Sequence, residues 1–243
     1  MPVLVKITFF LLLSTFVMAA PKKEMIEGVT YQILRVSPHK ILFIWKGDDG
    51  QPLRTFPAAS TFLKAKGIAV ETLMNGGIFE PGGIPSGLLV QDGKEMNPVN
   101  RNKGEGNFFL QPNGIFLISE TGAAVISTDE YPQKNVIVRQ AVQSGPLLLR
   151  GGKIHPAFNA NSESKLHRNG VGVAKTGEVI FVMTDFHSEK FVNLHQFAQL
   201  FKTLGCDDAL FLDGDISQMR SGADMEKQSN SFGSILAVVK DEK

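Results

Sequence analysis

Short apolar runs, each cut off within a few residues by glycine, proline or asparagine, succeed one another along almost the whole chain and constrain its fold more than any other feature. The runs at 28–36, 40–45, 68–73, 88–91, 108–111, 115–119, 136–142, 147–149, 170–174, 179–184, 209–212 and 234–239 are too short for core helices and have the composition of strands. Turn signals join several of them. Ser37-Pro38-His39, Pro112-Asn113-Gly114 and Lys175-Thr176-Gly177 each predict a hairpin. Helical periodicity is confined to two convincing places. Pro57 opens a segment in which Ala58, Phe62 and Ala65 share a face and Gly67 ends it. Asn193 caps a second segment, where Leu194, Phe197, Ala198, Phe201 and Leu204 form an apolar stripe that Gly205 closes. The pattern predicts an α+β fold: a single domain with a mixed, largely antiparallel sheet built from hairpins, and two or three helices.

The first twenty residues stand apart from this pattern. Lys6 precedes an uncharged apolar run over 7–18, which leads to Ala19, Ala20 and Pro21. That is the form of a secretory signal over 1–20, cleaved after Ala19 or Ala20, and the run is short for a bilayer span; an uncleaved anchor is the alternative. The expected mature domain is 21–243, exported to the periplasm or secreted, with no stable membrane insertion once the leader is removed. Cys206 is the one cysteine, so no disulfide can form within the chain and stability must come from an ordinary core. The 43% hydrophobic content can supply one. A formal net charge of +1, with both signs interspersed, argues against nucleic acid or a membrane surface as partner.

Four runs end in polar, glycine-marked loops: Asn75-Gly76-Gly77, Gln143-Ser144-Gly145-Pro146, Thr184-Asp185-Phe186 and Asp213-Gly214-Asp215. Each alone reads as an ordinary turn, and Arg168 alone as a surface charge. Together they offer amides, a hydroxyl, carboxylates and a guanidinium, the groups that hold a polar or anionic ligand, with glycines that let it approach backbone N–H groups. His155 and His167 read as solvated loop residues, and Cys206 as buried rather than reactive.

On Asn75-Gly76-Gly77-Ile78-Phe79, Gln143-Ser144-Gly145-Pro146-Leu147, Arg168-Asn169-Gly170-Val171-Gly172 and Leu212-Asp213-Gly214 with Ser217, in that order, the chain resembles the phosphodiester glycosidases. The resemblance implies a hydrolase that frees a sugar from a C1–O–P linkage. It implies Asp213 as the carboxylate that activates water or stabilises charge at C1, with Asp185 as second choice, and Arg168 as phosphate clamp assisted by Ser144 and the Gly145 N–H. Asn75, Gly76, Gly77, Gln143, Gly214, Asp215 and Ser217 complete the implied binding set for a carbohydrate or sugar-phosphate substrate. The chain departs from the usual family pattern at Asp215-Ile216, where many members carry further glycines before the serine.

Three rival readings remain at the level of sequence. A metal-dependent phosphoesterase would place a divalent cation at Asp185, Asp213 or Asp215, though no dense carboxylate and histidine cluster is evident. A serine hydrolase lacks its Gly-x-Ser-x-Gly elbow. A non-catalytic module binding envelope polysaccharide would keep the pocket without a carboxylate aimed at C1, and would favour more than one Trp and two Tyr.

Overall fold

The computed structural model describes residues 20–131 and 136–241. The expected leader therefore lies, save Ala20, outside the described residues. Among the described residues three large sheets carry the fold, beside a two-stranded ribbon of Phe79–Glu80 with Ile84–Pro85. The largest has seven strands in the spatial order Lys22–Ile26, Val29–Val36, Val179–Thr184, Asn169–Ala174, Cys206–Asp213, Leu147–Arg150 and Lys153–Ile154. The second runs Gly122–Ser127, Gly114–Ser119, Val138–Ser144, Leu89–Gln91, Lys94–Asn97. The third runs Met219–Ser221, Val70–Asn75, Ile235–Val239, Ile41–Ile44. Every ladder between the strands described is antiparallel. With two α-helices among the described residues, this is the expected α+β domain.

The runs are continuously apolar, rather than alternating, because most of these strands are covered on both faces. Every residue of Val179–Thr184 is buried. On the inner side, Phe43, Phe116 and Phe181, one from each sheet, meet edge to face with ring centroids 6.1 and 6.0 Å apart. On the outer side helix α1, Phe56–Ala65, covers the four-stranded sheet, and helix α2, Leu194–Thr203, covers the seven-stranded one.

The predicted caps form. The Thr55 hydroxyl accepts from Ala58 N, and Asn193 makes a reciprocal capping box with Gln196. Gly67 and Gly205 follow their helices at φ +75° and +89°, where only glycine is comfortable. Cys206 is buried, and burial pushes its thiol up to about 12.

Two predicted hairpins do not form. Around Ser37-Pro38-His39 the chain passes from the seven-stranded to the four-stranded sheet through a 3-10 turn, so the flanking strands never pair. The run at 108–111 is not a strand, and Asn107–Phe109 is a 3-10 turn. Asn113 Nδ2 donates to Phe108 O (2.8 Å), so the asparagine folds this loop against the end of Gly114–Ser119 instead of reversing a ladder. The partners of that strand are Gly122–Ser127 and Val138–Ser144. The third hairpin forms as expected, between Asn169–Ala174 and Val179–Thr184.

Candidate active site

Three of the four polar strand ends meet. In the seven-stranded sheet Asn169 pairs in register with Asp213. Asn169 Nδ2 donates to Asn75 Oδ1 (3.2 Å), which brings in the end of Val70–Asn75 from the four-stranded sheet. Ser144, from the five-stranded sheet, donates its hydroxyl to Leu212 O (2.7 Å) and accepts from Ile78 N (3.4 Å). Each of the three large sheets thus contributes a strand end to a single junction.

Beside this junction a cleft of about 490 Å³ opens. Leu166, His167, Arg168, Phe211, Asp213, Gly214 and Asp215 form one wall, and Ile78 to Glu80 with Glu105 to Phe109 the other. Burial is the main force on the Asp213 carboxyl, and with Asp215 nearby it raises the pKa to about 6 even though Gly214 N donates to Oδ1 at 2.7 Å. Arg168 is 3% exposed. Its Nε donates to Val192 O (3.3 Å) and one terminal amine to Ser164 O (2.9 Å), so the guanidinium is held rigidly at the cleft wall. Burial lowers its pKa, and Asp215 partly opposes that shift.

Other residues of the predicted set support the site rather than face it. Asn75 is buried, donating to Ser217 Oγ (3.3 Å) and accepting from Gln218 N (3.0 Å) and from Asn169. Gln143 binds Leu88 N and Asn100 N through its carbonyl and Asn100 O through its amine, which fixes the loop leading to the far wall. The glycines differ in what surrounds them. A Cβ at Gly77 would stand 3.0 Å from Gln143 O, and one at Gly145 2.7 Å from Phe108 O; at Gly76 it would strike the Ser234 hydroxyl. These three allow the strand ends to pack against one another. Of these four predicted glycines it is Gly214, whose Cβ would meet nothing closer than 3.6 Å, that combines open space with a place in the cleft wall.

The phosphodiester glycosidase family model matches residues 69–235, more than half of the chain. The chain belongs to the phosphodiester glycosidase family. Among its relatives is the uncharacterized protein YigE of Escherichia coli, 32% identical over 212 residues that cover 86% of this chain and 81% of that protein. The zebrafish N-acetylglucosamine-1-phosphodiester alpha-N-acetylglucosaminidase catalytic domain, auto-inhibited by its pro-peptide, shares the fold. It is 19% identical, with a TM-score of 0.64 over 91% of this chain and 82% of its own. A Burkholderia pseudomallei protein, 11% identical, superposes with a TM-score of 0.55 over 87% and 74% of the two chains.

In this member of the phosphodiester glycosidase family the carboxylate of the fourth strand end, Asp185, is not among the residues that line the cleft. Asp185 is 2% exposed, and its carboxylate receives Lys23 Nζ (2.8 Å), Gln32 Nε2 (3.0 Å) and His187 N (3.0 Å). Burial alone would raise its pKa, but Lys23 and the hydrogen bonds outweigh burial and hold it below the ordinary carboxylate value. The two histidines also part company. His155 is not a solvated loop residue: it is 4% exposed, stacked on Phe158 at 4.7 Å, with a pKa that burial lowers. His167 stays in a loop and is half-buried, lining the cleft with its ring stacked on Phe186 at 5.0 Å.

Asn169 is the supporting residue that residue-type reasoning passed over. It is fully buried, links Asn75 to the Asp213 strand, and its Oδ1 has no protein partner. Its position directly after Arg168 is the one sequence signal that marks it. Among the described residues, no group of three His, Cys, Asp or Glu side chains is arranged to hold a metal ion, and Asp185 stands apart from Asp213 and Asp215.

Proposed function

We propose that this protein hydrolyses a sugar-1-phosphodiester, breaking the glycosyl C1–O bond to free the sugar and a phosphate monoester. The carrying observation is one cleft wall that presents both Asp213, with its carboxyl raised to about 6, and the anchored guanidinium of Arg168. Family membership supports the same chemistry, and the activity of the zebrafish relative supports an N-acetylated sugar as the first donor to try.

The phosphate monoester departs with the electron pair of the broken C1–O bond. It is a weak base, so little protonation of the leaving oxygen is required. Arg168 binds the phosphate and offsets the negative charge that grows on it as the bond lengthens. Water adds to C1 and gives its proton to Asp213, whose carboxylate also stabilises the positive charge that develops on the sugar ring. A carboxyl with a pKa near 6 is largely ionised at neutral pH yet basic enough to take that proton. The apolar run at 7–18 with Ala19 and Ala20 supports export, so the substrate would be an envelope or extracellular glycoconjugate.

The test is incubation of the domain at 21–243 with a panel of sugar-1-phosphodiesters, with and without chelator. Released sugar and phosphate monoester are expected with the wild type, and at least a hundredfold less with Asp213→Asn in a protein of unchanged circular dichroism. Tight sugar binding without turnover would favour the polysaccharide-binding module instead.

A further inference from the structure

Two adjoining hollows, of about 680 and about 740 Å³, share Leu42, Lys66 and Ile68 and so form one groove along the outer edge of the four-stranded sheet. Its floor is the edge strand Ile41–Ile44 and the C-terminal end of α1, where Leu42, Phe62, Ile68 and Met96 are half-buried. The groove lies at the other end of that sheet from the active-site junction. The strand Val70–Asn75 meets the junction at Asn75 and begins beside Ala69, in the groove, roughly 17 Å away at about 3.3 Å per residue. No residue lines both the groove and the cleft.

Charge sets the groove apart. Lys40, Lys46, Lys66, Lys94, Arg139 and Lys240 line it. Its carboxylates are Asp48, Asp92 and Asp241, and each is already engaged. Lys66 Nζ reaches both oxygens of Asp48 (2.9 and 3.1 Å), Gln140 donates to Asp92 (2.6 Å), and Asp241 holds Lys40 (2.7 Å). Lys46, Lys94, Arg139 and Lys240 have no carboxylate partner among the described residues. The cleft is the reverse case, with Glu80, Glu105, Asp213 and Asp215 against Arg168. A chain of formal net charge +1 therefore keeps its unpaired cations together at one place, and the fold gathers them from stretches far apart in the sequence.

We propose that this groove is a second binding site, separate from the cleft, for an anionic polysaccharide laid along it. Lys40 and Lys46 stand at either end of the edge strand, roughly 20 Å apart, a span that meets several anionic groups of one extended chain. The floor of Leu42, Phe62, Ile68 and Met96 takes the C–H faces of sugar rings, for which a bare polyphosphate has no counterpart. Other anionic partners fit less well. A peptide cannot add to the sheet here, because the outward N–H groups of Phe43 and Trp45 are taken by Gln140 (3.0 Å) and Gln91 (3.3 Å). A bilayer needs protruding apolar side chains, and none of the exposed large hydrophobic residues described lines the groove. Single-stranded nucleic acid needs open aromatic faces, but Phe43 is fully buried and Lys66 Nζ stands 4.8 Å over the Phe62 ring.

Two triple variants of equal net charge test the groove in the full chain. One is Lys46→Gln, Lys94→Gln and Lys240→Gln; the other is Lys22→Gln, Lys153→Gln and Lys202→Gln, whose lysines lie outside it. Phosphorylated dextran, neutral dextran, a thymidine oligonucleotide and phosphatidylglycerol vesicles are offered to each protein on a biosensor, with circular dichroism to check the fold. The wild type should bind phosphorylated dextran and not neutral dextran, and less tightly as sodium chloride is raised. The groove variant should bind it roughly tenfold more weakly and the other variant about as well as the wild type. Equal weakening in the two variants overturns the groove, since net charge alone would produce it. So does failure to bind phosphorylated dextran, and so does tighter groove-dependent binding of the oligonucleotide or the vesicles. Binding is read without turnover, so the groove and the hydrolase stand or fall separately.

Discussion

Asp213 is costly for the folded protein because its carboxyl is partly withdrawn from water beside Asp215, and that cost has a defined pH window. In the unfolded chain the group titrates near the ordinary aspartate value, about 3.9, and in the fold near 6. Below both values it is protonated in either state and costs nothing. As pH rises from about 4 through about 6 the folded carboxyl must ionise in an unfavourable place, and the stability difference, on the order of 3 kcal/mol for a shift from about 3.9 to about 6, is lost. Asp213→Asn has no such titration. Urea midpoints measured from pH 4 to 8 should show the variant gaining on the wild type across pH 4 to 7 and level thereafter, while wild-type kcat/KM rises with pH through about 6. A gap that stays flat with pH would mean that Asp213 titrates as an ordinary carboxylate and is no general base. The strand-end pattern points to Asp213 and Arg168 only when joined to the family resemblance, and both line the cleft. Residue types did not separate side chains that face the cleft from those that bind its walls together. Asn75, Gln143 and Ser144 have the same polar, strand-end signature as Asp213, yet their hydrogen bonds are spent on Gln218, Asn100 and Leu212.

At the scale of elements, the glycines of Arg168-Asn169-Gly170-Val171-Gly172 have a reason unrelated to any ligand. Gly170 and Gly172 lie two residues apart, on the same face of their strand, under the two phenylalanines of α2. A Cβ at Gly170 would stand 2.9 Å from Leu210 O and 3.0 Å from the Phe197 ring. At Gly172 it would stand 2.6 Å from Cys206 Sγ and 2.8 Å from the Phe201 ring. Gly172→Ala is therefore expected to push α2 off the sheet at a cost of about 1–3 kcal/mol, and Gly172→Ala with Phe201→Leu to regain part of it. Thermal melts of the single and double variants check this; a single variant as stable as the wild type would show that α2 can shift freely. Helix α2 itself was fully legible, since cap, stripe and terminal glycine are local signals. The glycine floor beneath it was not, because a glycine that admits a ring and one that admits a ligand look alike in a sequence. Asn113 misled for a related reason. Its dipeptide is a strong reversal signal, but the side chain serves Phe108 O, and the true reversal of Gly114–Ser119 falls at Glu120-Thr121.

At the scale of the molecule, three sheets must be fixed to one another for a single cleft to exist, and no local pattern announces how. The strand at 29–36 pairs with one at 179–184, and the strand at 41–44 with one at 235–239, separations that hairpin reasoning cannot reach. The edge-on phenylalanines supply much of the contact, but a buried amide supplies the register. Gln140, fully buried in the five-stranded sheet, accepts from Phe43 N (3.0 Å) on the outermost strand of the four-stranded sheet and donates to Asp92 Oδ1 (2.6 Å). It closes an edge that would otherwise offer an unpaired N–H. Gln140→Leu keeps the volume and leaves that N–H buried without a partner, at about 1–3 kcal/mol, which in a chain of this size lowers Tm by on the order of 2–10 °C. Gln140→Glu restores the acceptor for Phe43 N but sets a second carboxylate against Asp92, so it should lose most stability at neutral pH and regain it as pH falls and one carboxyl takes up a proton. Melting both variants from pH 4 to 8 separates the two effects: a constant deficit for Leu, and for Glu a deficit that shrinks toward acid. If the two behaved alike at every pH, the amide would be filling space, and the sheets would be held by their phenylalanines alone.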